Sequence, residues 1–146
     1  MVVAYTYYKF IKTETSPSQK LSFEEFQPYI SKLPSQTTPI LIDFWFAGCQ
    51  PCLDEMRYFP QLLDKHPNLK IISLSVDSPE FTAQLLEDPP EVWKFLKGRS
   101  PRWEIHNIDQ AEISLFGVRS FPTYYLLEGN NSRLAKVRSA VVSTEL

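Results

Sequence analysis

Two cysteines stand with two residues between them, in the run Cys49-Gln50-Pro51-Cys52. Thiols at this spacing can close a small ring. A strongly apolar run ends just before them and a helical pattern follows, so the pair falls where a strand turns into a helix. With Cys52 in the first turn, Cys49 lies at the helix N-terminus. There the unpaired N–H groups and the positive end of the dipole stabilise a thiolate by roughly 0.3–2 kcal/mol. A lowered pKa places more of Cys49 in its attacking form near neutrality. Pro51 suits the first helical turn, where its missing N–H costs nothing. The rival readings are half a zinc site and an inert pair. Zinc needs two further ligands, a second C-x-x-C is absent, and the two histidines, His66 and His106, lack the close spacing of a ligand pair. The strand-then-helix context favours a redox dithiol.

Other residues near the pair invite attention. Asp43 is an anomaly in an otherwise apolar run. Glu55 lies one helical turn beyond Cys52, so it can approach the dithiol as an acid. It reads equally as a solvated charge favourable near a helix start. Trp45 reads both as core and as a cover over the turn.

The elements that must position these residues follow from patterning. Pro39 to Phe46 is nearly all apolar, which suits a central strand covered on both faces. Ser22 to Glu25 fits a capping box opening a helix to about Leu33. After the cysteines a helical stretch runs to about His66, interrupted by Pro60. Leu69 to Val76 is the second strongly apolar strand. Ser78-Pro79 reads as N-cap and first helical residue, and that helix breaks at Pro89-Pro90 and resumes through Val92 to Leu96. Ala111 to Phe116 is a short helix ended by Gly117. Thr123 to Glu128 and Arg133 to Val137 form a hairpin through Gly129-Asn130-Asn131. Asp77 is assigned to the next helix start, and Trp93 and Trp103 to core packing. The order implies an α/β sandwich with parallel central strands and an antiparallel edge.

Composition bounds the rest. The 146 residues make one ordinary domain, with residues 1–21 read as an N-terminal strand and connector and 22–146 as the folded unit. Ten Phe, seven Tyr and three Trp argue against disorder. A net charge of −2 with no basic block excludes a nucleic-acid footprint. No apolar run approaches the roughly 18 residues of a membrane span. Met1 to Lys12 lacks the basic start and apolar core of a secretory signal.

Ile40 to Cys52 (ILIDFWFAGCQPC) resembles the active-site strand and turn of thioredoxins. Phe116 to Thr123 (FGVRSFPT) resembles their later Gly-Val-x-x-x-Pro-Thr segment. Ser73 to Asp77 followed by Trp93 to Leu96, with Glu55 in CQPCLDE, is similar to TlpA/ResA-like envelope oxidoreductases. The resemblance implies a thioredoxin fold, a central mixed β-sheet with helices on both faces. It implies a thiol-disulfide oxidoreductase in which Cys49 attacks and Cys52 resolves the mixed disulfide. Asp43 matches the buried acid that takes the proton from Cys52, with a carboxylate satisfied by backbone or Lys as the rival reading. Carrying both Asp43 and Glu55 is unusual, which leaves open which of them carries the proton. Pro122 matches the position that is cis in the family, turning Phe121 towards the dithiol. Trp45, Gln50, Pro51, Phe121 and Pro122 then form the substrate surface. Gly48 stands where many relatives have an aromatic, which implies an open approach to Cys49. Relatives place a helix-kinking proline at the position of Arg57, so Pro60 implies a kink about one turn later.

The resemblance further implies a reductant, with no cofactor beyond the Cys49–Cys52 disulfide. The expected partners are disulfide-containing proteins and an upstream redox donor, with the chain a monomer. It implies a periplasmic or envelope location, the cytoplasm being the alternative. The competing function is a thioredoxin-like binding module whose dithiol is vestigial or holds a metal. Peroxide reduction is a third, and its Pro-x-x-x-Thr-x-x-Cys pattern is missing.

Overall fold

The computed structural model describes residues 3–6, 9–11, 20–21, 39–127 and 134–137, the first three stretches and the last as backbone. The capping-box helix from Ser22 and the turn at Gly129-Asn130-Asn131 lie outside the described residues. Strands β1 (Val3–Thr6) and β2 (Lys9–Ile11) pair antiparallel with each other. The main sheet holds β3 (Lys20–Leu21), β4 (Ile40–Trp45), β5 (Lys70–Ser75), β6 (Trp103–Ile108), β7 (Thr123–Leu127) and β8 (Leu134–Val137). Its order is β3-β6-β5-β4-β7-β8. The pairs from β3 to β4 are parallel, while β4–β7 and β7–β8 are antiparallel.

Every residue of β4 is buried, as its continuous apolar run requires of a strand covered on both sides. Between β4 and β5 lie α1 (Gln50–Met56) and α2 (Phe59–Lys65). After β5 come α3 (Pro79–Glu87) and a 3-10 turn over Glu91–Leu96. The Ser78 hydroxyl caps α3 by accepting from Phe81 N–H at 3.2 Å, with Pro79 in the first turn. A second 3-10 segment, Gln110–Phe116, ends at Gly117 with φ 75°, a left-handed conformation that favours glycine.

The sheet carries a core on each face. On one, Leu41 and Trp45 of β4, Ile71, Trp103 and Ile105 pack with Leu53, Met56, Phe59 and Leu63 of the two helices and Leu85 of α3. On the other, Ile40, Ile42, Phe44, Ile72 and Leu74 pack with Phe116 and Val118. Period-2 alternation along β4 thus sends odd and even positions to different cores.

The helical stretch after the cysteines breaks at Arg57–Tyr58. A proline ring clashes with the carbonyl four residues earlier, so Pro60 disrupts the chain at Met56 and then sits in the first turn of the next helix. The stretches from Val92 and Ala111 are helical as expected, in the 3-10 form. Strand β6 is the element that patterning did not single out. Its Glu104 and His106 alternate with buried Trp103, Ile105 and Asn107 and face partly outward, which disguises a strand in the middle of the sheet. Glu104 pairs there with Lys70 and accepts from His106. Burial works to raise its carboxyl, but His106 and Lys70 prevail and hold it down to about 2.

Phe59 is fully buried, edge-on to Trp103 at 5.1 Å between ring centres and to Tyr124 at 6.4 Å. Phe59→Ala is expected to cost about 3–5 kcal/mol, read from the midpoint of urea unfolding. A loss under about 1 kcal/mol contradicts this packing, since even Ile→Val at a buried site commonly costs that much.

Candidate functional site

Strand β4 delivers the chain to the turn Phe46-Ala47-Gly48, which Cys49 closes as N-cap of α1. The backbone of Cys49 is extended, as an N-cap requires, and its carbonyl accepts from Leu53 N–H at 3.2 Å. Its sulfur takes the place of the usual cap oxygen and accepts from Cys52 N–H, also at 3.2 Å. Pro51 occupies the first turn. Cys49 and Cys52 are joined in a disulfide. Cys52 is completely buried and Cys49 is 5% exposed, so Cys49 is the sulfur nearer solvent.

The turn is anchored by a residue that patterning assigned elsewhere. Asp77 does not cap α3, a task that falls to Ser78. Its Oδ2 accepts from Ala47 N–H at 2.8 Å and from the Ser75 hydroxyl at 3.0 Å. Asn107 Nδ2 in turn donates to the Asp77 carbonyl at 2.8 Å and to Thr82 Oγ1 at 2.9 Å. The loop after β5 thereby grips the turn that carries Cys49. The alternation in Ser73-Leu74-Ser75-Val76-Asp77 was the available signal, since it points all three polar side chains to one side.

The Phe121–Pro122 peptide bond is cis. The Phe121 ring stands edge-on to Phe46 at 5.2 Å between centres. This aromatic pair joins the loop before β7 to the cysteine turn. A Cβ at Gly48 would meet the Phe46 ring at 3.1 Å. Gln50 and Pro51 are exposed beside the disulfide, and the Gln50 amide donates to Asp54 at 2.9 Å. Trp45, expected on the substrate surface, is fully buried and belongs to the core behind both sulfurs. An inward position on a strand covered on both faces leaves it no surface to offer.

A buried acidic group of residues lies on the face of the sheet that α1 covers. Asp43 is fully buried between its strand neighbours, Ser73 on β5 and Tyr124 on β7, each directly opposite in register. The Ser73 hydroxyl donates to Asp43 Oδ2 at 3.0 Å, and Oδ1 has no partner among the described residues. Burial pushes the Asp43 carboxyl up to about 8; the Ser73 bond opposes this and the Glu55 charge adds to it. Glu55 is half-buried, and burial raises it too, followed by the neighbouring Asp54 charge, with the Tyr124 hydroxyl acting the other way. Tyr124 is raised by burial and by both carboxylates. Its hydroxyl and Glu55 Oε1 lie close enough to influence each other without closing a well-formed hydrogen bond. The structure thus brings Asp43 and Glu55 to one locality, through a tyrosine that patterning did not single out.

No protein-family profile matches the chain, and no curated protein matches it. Solved structures do. The thioredoxin domain of a thiol-disulfide oxidoreductase from Bacteroides vulgatus is 20% identical, with a TM-score of 0.52 over 69% of this chain and 70% of that one. A thiol:disulfide interchange protein DsbE from Chlorobium tepidum is 19% identical, with a TM-score of 0.52 over 73% and 74%. A secreted disulfide oxidoreductase from Mycobacterium tuberculosis, homologous to DsbE of E. coli, is 13% identical, with a TM-score of 0.52 over 70% and 69%. With the sheet order and flanking helices described above, this likeness establishes the thioredoxin fold. Among the described residues, no helix is long and apolar enough to cross a membrane.

Two outcomes are expected. Asp43 keeps its proton in the folded state up to about pH 8 and loses it near pH 4 when unfolded. Its contribution to stability is therefore complete below about pH 4 and falls as pH rises towards 8. Asp43→Asn removes this dependence, so its stability relative to the parent should improve by about 1 kcal/mol per pH unit between pH 5 and 7.5. Urea unfolding across that range checks it, and parallel profiles for the two proteins contradict it. Asp77→Ala strands Ala47 N–H and should cost about 1–3 kcal/mol. It should also raise amide hydrogen exchange at Ala47 and Cys49; unchanged exchange there contradicts the anchoring role.

Proposed function

We propose that this protein is a thiol-disulfide oxidoreductase that reduces disulfides in other proteins. The observation that carries the reading is the Cys49–Cys52 disulfide at the start of α1, with one sulfur accepting a helix N–H and the other completely buried. In the reduced protein the Cys52 N–H and the other free amides of the first turn favour Cys49 as thiolate. The thiolate attacks one sulfur of a substrate disulfide, forms a mixed disulfide and expels the other sulfur as a thiolate. Cys52 gives its proton to the ionised form of Asp43 and attacks the Cys49 sulfur. The second substrate thiolate leaves, and the protein ends as the observed disulfide. The substrate gains two electrons, and an upstream dithiol donor returns the protein to its starting state.

Asp43 fits the proton step because its carboxyl, raised to about 8, is ionised in a fraction of molecules at neutral pH, and that fraction, growing as pH rises towards 8, accepts the Cys52 proton. Glu55 is the second acid, better placed to exchange with solvent because it is only half-buried. Phe121 and the cis Pro122 lie in the loop that the Phe46 ring ties to the cysteine turn, and with Gln50, Pro51 and Phe46 they make the surface a substrate strand meets. Of the solved structures described above, one is a DsbE protein and one a secreted oxidoreductase. With the TlpA/ResA-like motifs they favour the cell envelope as the place of work, although the cytoplasm suits the chemistry equally.

Reduction of insulin with dithiothreitol as donor tests the reading. The parent should accelerate precipitation, Cys49→Ser should abolish the acceleration, and Cys52→Ser should accumulate a mixed disulfide visible by mass spectrometry. No acceleration by the parent, or full activity in Cys49→Ser, overturns it.

A further inference from the structure

We propose that Trp103 and Ser73 form a fixed donor chain that makes Oδ1 of Asp43 the oxygen at which its proton is exchanged. Both are then positioning residues for the proton step, an inference that rests on the redox reading above. The Trp103 indole Nε1 is a donor only. It lies 2.9 Å from Ser73 Oγ, and Ser73 Oγ lies 3.0 Å from Asp43 Oδ2. Ser73 and Asp43 are fully buried and Trp103 nearly so. Because the serine oxygen accepts from the indole, the hydroxyl hydrogen is directed at Oδ2. A proton on Oδ2 would oppose that hydrogen directly. It would require the Ser73 hydrogen to turn away and the bond to reverse, whereas a proton on Oδ1 leaves the chain as it stands. The neutral acid therefore carries its proton on Oδ1, the oxygen without a partner among the described residues.

The groups that face Asp43 come from every neighbouring element: Ser73 on β5, Tyr124 on β7, and Glu55 on α1, the helix that also carries Cys52. Of these, only the serine supplies a directed donor. Glu55 acts through its charge, which favours the protonated carboxyl. The chain from β6 thus opposes burial at one oxygen and leaves the other free to take and release a proton. Trp103, which the sequence places in core packing alone, has a second task through its N–H.

The experiment is carbon-13 NMR of the full chain labelled at aspartate carboxyls, with Asp43 assigned by its loss in Asp43→Asn. Ser73→Ala removes a donor to the charged form, so the Asp43 titration midpoint should rise by about one pH unit. Trp103→Phe keeps a ring against Phe59 and loses the N–H, and should shift the midpoint the same way by a smaller amount. The pH profile of mixed-disulfide resolution should move with each midpoint, and the shifts in rate should vanish in the Asp43→Asn background. A Ser73→Ala midpoint that is unchanged or lowered overturns the proposal, even if that variant loses stability. An unshifted midpoint in folded Trp103→Phe removes the indole from the chain and overturns its directing role; should that variant not fold, Ser73→Ala decides. The NMR midpoint needs no turnover. A protein inactive on insulin that still shows both shifts keeps the donor chain and loses only the redox reading.

Discussion

A carboxyl group with one hydrogen bond and no exposure sits in the middle strand of the sheet, and much of the molecule is arranged around it. Asp43 is held there by register. Its neighbours across the strands are Ser73 and Tyr124, and its strand-mates Leu41 and Trp45 lie in the core under α1 and α2. A slip of one residue would send Asp43 to the opposite face, among Phe116 and Val118, and expose the apolar even positions to the wrong core. Continuous apolar patterning on β4 and β5 therefore fixes the chemistry as well as the fold. It places one ionisable group where burial holds its proton through neutral pH.

The same strand ends at the cysteine turn, so the acid and the dithiol belong to one rigid piece of chain. Asp77 holds the turn from the β5 side, and Phe46 and Phe121 hold it from the β7 side. Cys49 caps the helix with its sulfur, which leaves the reactive atom near the surface and its partner sealed inside. The two sulfurs thus differ in environment although they are three residues apart. That difference suits the proposed exchange, in which Cys49 meets substrate and Cys52 resolves from within.

Much of this was readable from residue types. The Cys-x-x-C pair, the apolar runs of β4 and β5, the cap at Ser78-Pro79 and the glycine stop at Gly117 all carry strong local signals, and each lies where patterning placed it. Asp43 stood out because a charge in an apolar run needs a reason. What escaped notice depends on long-range contacts. The outward-facing Glu104 and His106 masked β6, although Trp103, Ile105 and Asn107 alternate with them. Asp77 looked like a helix start because its target, Ala47 N–H, lies thirty residues earlier in the chain. Tyr124 and Ser73 acquire meaning only through pairing with Asp43 across the sheet. Trp45 could be read as surface or core until both faces of β4 proved to be covered.

The account rests on the Cys49–Cys52 couple exchanging electrons with protein disulfides, and its equilibrium reduction potential against glutathione is the most direct measure. A value between roughly −200 and −280 mV is predicted, in the range spanned by glutaredoxins and thioredoxin. A value below about −300 mV, where disulfides are structural, contradicts the account. So does one above about −150 mV, which belongs to an oxidant close to DsbA.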